Sequence, residues 1–160
     1  MLMSAHGYSE ADAHTAAAMS DGSVGQALEG ASESFVEARD AALELLEIVA
    51  GDPPPARRLA GSVRLPGAAR GGSKGKSDRE ALAQSLRSMG TLLRDLGVLS
   101  ARADDRVLAN ADLRTRLERL LRSYDHDRIL GAFAAVDKAL NALDRNASPK
   151  IVADWLAFQL

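Results

Sequence analysis

Apolar residues recur at steps of three and four along most of this chain, a spacing that puts them on one side of a helix and leaves little room for strands. Leu82, Leu86, Met89, Leu93 and Leu96 make one such stripe, flanked by Leu92 and Leu99. Ile129, Phe133, Val136, Leu140 and Leu143 make another. At the end of the chain Ser148 is a fitting N-cap and Pro149 suits the first helical position, where its missing N–H had no partner to lose. Ile151, Trp155 and Phe158 follow at helical spacing, with Val152 and Leu156 beside them. This pattern predicts a terminal helix docked on the helix that carries Phe133, Val136 and Leu140, with Trp155 largely buried. Only 4% of the residues are aromatic, so few side chains favour a pleated surface. The expected fold is all-α, an antiparallel helical bundle.

The remaining elements follow from caps and breakers. Ser9 and Asp12 open an alanine-rich helix to about Met19, which Asp21-Gly22-Ser23 breaks. A longer helix is expected from about Val24 to Val49, with Leu28, Ala31, Phe35, Ala38, Ala42, Leu45 and Val49 inward, ending at Gly51-Asp52-Pro53-Pro54-Pro55. The segment 51–76 holds four of the five prolines and six basic residues. A short helix fits between Pro55 and Leu65, whereas Gly67 to Lys76 offers no apolar anchor and is expected to be a flexible basic linker. Ser77 with Glu80 forms a second capping box, and the helix it opens frays near Gly97 to Ala101. Asn110 caps a helix with Leu113, Leu117, Leu120, Leu121 and Tyr124 inward and Arg114, Arg116, Glu118, Arg119 and Arg122 outward. Asp125 or Asp127 starts the next. Three parts are expected: 1–28, 29–76 as a connecting helix and linker, and 77–160 as the bundle.

Chemistry is scarce. The absence of cysteine removes disulfides, thiolate nucleophiles and cysteine-ligated metals, and fits a reducing cytoplasm. A net charge of −2 argues against a globally basic nucleic-acid binder. No stretch reaches the roughly 20 apolar residues of a membrane span, so no membrane partner is expected. Gly75-Lys76-Ser77 matches the end of a phosphate-binding loop, but Arg70 stands where the motif needs glycine and no strand precedes it. His6, His14 and His126 are too scattered for a metal site, and Asp104 and Asp105, being adjacent, read as a surface turn. No nucleophile has a base at suggestive spacing. The chain is read as a non-enzyme without cofactor, catalytic residue or metal.

Four motifs in order carry a resemblance. Met19-Ser20-Asp21-Gly22-Ser23-Val24-Gly25-Gln26-Ala27-Leu28 resembles a lid motif in which a short helix precedes Gly-Ser-x-Gly-Arg-Ala-Leu. Leu92-Leu93-Arg94-Asp95-Leu96 resembles a collar stretch, Leu108-Ala109-Asn110-Ala111-Asp112-Leu113 an Asn-Pro-Asp helix start with Ala111 for proline, and Arg145-Asn146-Ala147-Ser148-Pro149-Lys150 an Asn-x-Asn-Pro-Lys turn with Ser148 for asparagine. Together they are similar to the C-terminal part of bacterial DNA polymerase III clamp-loader subunits, of the delta-prime type.

The resemblance implies a fragment of an AAA+ lid followed by a helical collar that holds clamp-loader subunits in a ring during DNA replication. Its partners would be the other clamp-loader subunits and, indirectly, the sliding clamp and primer-template DNA. ATP-hydrolysing members carry a phosphate-sensing arginine where this chain has Gln26, which favours the non-hydrolysing delta-prime role. Lys150, Asp154, Trp155 and Gln159, on the less buried side of the terminal helix, are the expected subunit interface. The alternatives are the collar of the ATPase subunit, a helical nucleic-acid binder using the basic linker, and an enzyme whose active site lies in a preceding domain. The segment 51–76 departs from the family, where more regular helix fills that interval.

Overall fold

The computed structural model describes residues 33–69, 75–103 and 105–160. Among them every regular element is a helix and there is no strand: α1 (Glu33–Ala50), α2 (Pro55–Ser62), α3 (Gly75–Ser100), 3-10 turns at Asp105–Val107 and Ala111–Leu113, α4 (Arg114–Leu120), α5 (His126–Asp144) and α6 (Pro149–Gln159). The lid motif with Gln26, the helix expected near Ser9 to Met19, and His6 and His14 lie outside the described residues.

α3 is the axis. Its predicted stripe of Leu82, Leu86, Met89, Leu93 and Leu96 is fully buried, as is Leu92. α1 packs along it with Ala38, Ala42, Leu45 and Val49, and Leu43 and Leu46 join them. α5 covers another side through Ile129, Ala132, Val136, Ala139 and Leu143. α6 runs back antiparallel to α5, because a tight turn joins them. In that turn Asn146 adopts the left-handed conformation (φ 64°), its N–H bonds the Leu143 carbonyl, and the Ala147 N–H bonds the Ala142 carbonyl. These paired bonds satisfy the last carbonyls of α5 and reverse the chain.

Several expectations need correction. Ser77 lies inside α3, which begins at Gly75, so it does not cap that helix. Asn110 precedes a 3-10 turn and makes no side-chain cap there; its amide goes elsewhere. Ser148 and Pro149 do occupy the N-cap and first positions of α6, yet the Ser148 hydroxyl makes no capping bond. Asp125 caps α5 as expected, accepting from the Arg128 N–H at 2.8 Å. The segment after α2 is anchored as far as Ala68: Leu65 and Ala68 are buried, and Gly67 (φ 80°) passes so close to α3 that a Cβ would lie 1.9 Å from the Asp78 carbonyl oxygen. Only a glycine fits that contact. A single alanine is too weak an apolar signal for this anchor to show in the sequence.

The largest correction concerns α6. Val152, Ala153, Leu156, Ala157 and Leu160 form its buried face, while Ile151, Trp155 and Phe158 point outward. Phe133 of α5 is likewise exposed, at 48%. Both apolar arcs are wider than the surface available to cover them. Small alanines let α6 sit close to its neighbours, so the bulky residues remain outside.

Candidate subunit interface

The motif residues of α3 and the following loop meet in space. Asp95 is fully buried on α3, where an acidic residue inside a leucine run needs a strong reason to be. Its carboxylate accepts from the Ala109 N–H (3.1 Å), the Asn110 N–H (2.7 Å) and the Asn110 side-chain amide (2.9 Å). Three N–H donors in a dry site satisfy a buried charge. Asp95 therefore fixes the loop 108–110 against α3 and sets where α4 begins. A second junction is built on Arg128 of α5. Its guanidinium donates to the carbonyl of Ser123 (2.9 Å), the carbonyl of Val49 at the end of α1 (3.0 Å) and the main-chain oxygen of Leu160 (3.1 Å). It also lies 4.5 Å from the ring centre of Tyr124. Burial pushes the Tyr124 hydroxyl up to about 12, while Arg128 and Arg58 pull weakly the other way.

The expected interface residues all sit on α6, and they are not equivalent. Lys150 and Asp154 pair with each other. Asp154 also reaches the buried Ser62 of α2, whose hydroxyl is 2.8 Å from Asp154 Oδ1 and 2.9 Å from the Leu59 carbonyl oxygen; the carboxylate is the stronger acceptor. Asp154 thus holds α2 to α6 and is part of the fold. Gln159 is exposed, and Trp155 is exposed at 38% instead of buried. With Ile151 and Phe158, Trp155 forms a ridge at i, i+4 and i+7 along α6.

α2 extends this surface. Arg58 Nη1 donates to the Ala157 carbonyl at 3.3 Å, and with the Ser62–Asp154 bond this fixes an antiparallel register between α2 and α6. Leu59 and Val63 are exposed beside it. Along α1 the surface is polar. There Glu37, Asp40, Glu44, Glu47 and Arg116 line an open groove, Arg116 grips Glu47 with two bonds of 2.9 and 2.8 Å, and Arg39 grips Asp112 with bonds of 3.2 and 2.9 Å. Glu47 holds the Arg116 pKa above its usual value, chiefly by hydrogen bonding.

His126 is exposed at the start of α5, and no group of acidic, histidine or cysteine residues suited to a metal ion occurs among the described residues. Among them no helix is long and apolar enough to cross a membrane. Compared with known proteins, the chain matches no family model, no curated protein and no solved structure.

Proposed function

We propose that this chain is a subunit-assembly element of a clamp loader of the DNA polymerase III delta-prime type, a collar that holds its neighbours without catalysing a reaction. The observation that carries the reading is the solvent-facing ridge of Ile151, Trp155 and Phe158 on an otherwise well-packed terminal helix. A monomer gains nothing by leaving three large apolar side chains in line on one helix, and such patches mark protein contacts. The collar-like motifs support the same reading, since two of them, around Asp95 and Asn110, act on one another directly. In this role Trp155 and Gln159 touch the neighbouring subunit, whereas Lys150 and Asp154 shape the helix pair behind them. The partners are other clamp-loader subunits, with the sliding clamp and primer-template DNA engaged through the assembly, in the cytoplasm.

The test is co-purification of the chain with the remaining clamp-loader subunits, comparing the native sequence with Ile151→Glu. Capture of the native chain and loss of capture in the variant, with its circular dichroism unchanged, are the expected results. Failure of the native chain to bind any of those subunits defeats the assignment.

A further inference from the structure

We propose that the outer face of α3 is a contact for the sugar-phosphate backbone of double-stranded nucleic acid. α3 is the axis of the bundle, yet a strip of it stays open to solvent. From Ala83 to Ser100 its only charged residues are Arg87, Arg94 and the buried Asp95. Arg87 and Arg94 are exposed and seven residues apart, so at about 100° per residue they lie almost in line. Arg102, also exposed, follows at the end of the helix. At about 1.5 Å per residue the three span roughly 22 Å. Arg87 and Arg102 form no ion pair among the described residues. Arg94 gives one donor to the Val107 carbonyl at 3.2 Å, and its side chain is 48% exposed with donors to spare. The acidic residue of this stretch, Asp95, is turned into the bundle, where three N–H donors engage it.

The residues of this strip run against helix propensity. Gly90 and Gly97 sit inside α3, where only proline is a poorer helix former than glycine. A Cβ at either would meet no heavy atom within 4 Å, so no packing inside the molecule calls for a glycine. Arg102 instead holds the left-handed position that ends the helix (φ 51°), where glycine is favoured. Its N–H bonds the Leu99 carbonyl and the Ala103 N–H bonds the Val98 carbonyl, both at 3.1 Å. Bare glycines beside Arg87 and Arg94 let a long ligand come close to the helix backbone, and arginine at the cap extends the row of charge.

The chemistry of the strip selects the occupant. None of the large exposed apolar side chains among the described residues belongs to α3. A protein partner would find no hydrophobic centre to bury there, and a membrane surface no apolar face to take up. A single strand needs aromatic platforms for its bases, and α3 carries none. Phosphate contacts need only charge and N–H donors, and the arginine fork meets a phosphate with two bonds at once. A straight row of such forks fits the regular backbone of a duplex, a contact that carries no sequence information. The inference rests on α3 alone and not on the clamp-loader reading.

The experiment is fluorescence anisotropy of a labelled DNA duplex of about 20 base pairs, titrated with the full 160-residue chain at about 50 to about 200 mM salt. Three neutralised phosphates give an expected slope of about −2.7 in log K against log salt, a loss of about 40-fold across that range. Arg87→Gln and Arg102→Gln, with no ion pair to lose, should each flatten the slope by about 0.9 and leave circular dichroism unchanged. Gly90→Leu should weaken binding with no change of charge, because it fills space that is open in the free chain. Arg57→Gln removes the same charge from α2, which packs against α1 and α6, and should leave the slope unchanged. Absence of binding at about 50 mM salt overturns the proposal. So does a slope that Arg57→Gln flattens as much as Arg87→Gln, and so does tighter binding to a single strand of the same length. Duplex binding by a chain that no clamp-loader subunit captures supports the α3 contact and defeats the assembly reading, so the two are separable.

Discussion

Replacing Asp95 tests whether one buried carboxylate organises the middle of the molecule. In Asp95→Ala the Ala109 and Asn110 main-chain N–H groups lose their acceptor in a site closed to water, and the Asn110 amide keeps only its 3.4 Å bond to Thr91 Oγ1. An orphaned buried donor costs about 1–3 kcal/mol. Breaking a buried charged network from one side costs about 3–5 kcal/mol, and the loss here should fall in that range. That is a large share of the roughly 5–15 kcal/mol that holds a typical domain together. Asp95→Asn keeps the shape and one oxygen but turns an NH₂ toward a donor, so it should cost about half as much. Urea melts followed by far-ultraviolet circular dichroism measure both, and an unchanged slope would confirm that the unfolded states are alike. Amide exchange at Ala109 and Asn110 should accelerate ahead of the rest of the chain. A loss below about 1 kcal/mol for Asp95→Ala would show that the loop is held by something else, and the reasoning would fail.

Trp155→Ala should cost about 2–3 kcal/mol, because at 38% exposure the indole keeps only part of the 3–5 kcal/mol of a buried aromatic, whereas Leu156→Ala one residue on should cost about 2–5 kcal/mol. Denaturant melts compare them, and Trp155 emission should be that of a partly water-exposed indole. Ser148→Ala should change stability by less than about 0.5 kcal/mol because its hydroxyl caps nothing, while Asp125→Ala should cost about 1 kcal/mol through the lost bond to Arg128. The Tyr124 hydroxyl, raised to about 12 from 10.0, binds its proton more tightly folded than unfolded. Its contribution is therefore intact below pH 10.0 and disappears as pH rises toward 12, on the order of 3 kcal/mol over that window. Melts of native and Tyr124→Phe protein between pH 9 and 12 should converge as the native chain loses stability; parallel curves would contradict the assigned cause.

Much of the architecture is legible in the sequence. The stripe of α3, the Ala38, Ala42, Leu45 and Val49 part of the stripe of α1 and the Asp125 cap appear where periodicity and cap chemistry put them; Phe35 is only half-buried, and Leu28 and Ala31 lie outside the described residues. The faces of α5 and α6 do not, because periodicity locates an apolar arc and not its covered part. On α6 the small residues Ala153 and Ala157 decide the contact, since close approach rewards small size more than hydrophobicity. The roles of Asp95 and Arg128 depend mostly on partners distant in the chain, up to 79 residues away. An aspartate within Leu92-Leu93-Arg94-Asp95-Leu96 is the one visible hint, since it borders the flank of the predicted stripe next to Leu92 and Leu99. The part played by α2 was hidden by a proline- and glycine-rich composition that reads as linker, although Leu65 and Ala68 tie its far end into the core.

Arg128 also bears on the order of folding. Asp95 closes a loop of 14 to 15 residues, so that contact is available as soon as α3 exists. Arg128 must wait for Val49 and Leu160, 79 and 32 residues distant, to arrive together. Loop-closure entropy rises with separation, which puts the arginine junction on the late side of the barrier. Arg128→Met should therefore leave the refolding rate nearly unchanged and speed unfolding, whereas Asp95→Asn should slow refolding. A chevron in which the two substitutions affect the same arm would contradict that order. If it holds, the arginine governs how long the native chain survives, and the aspartate governs how soon it forms.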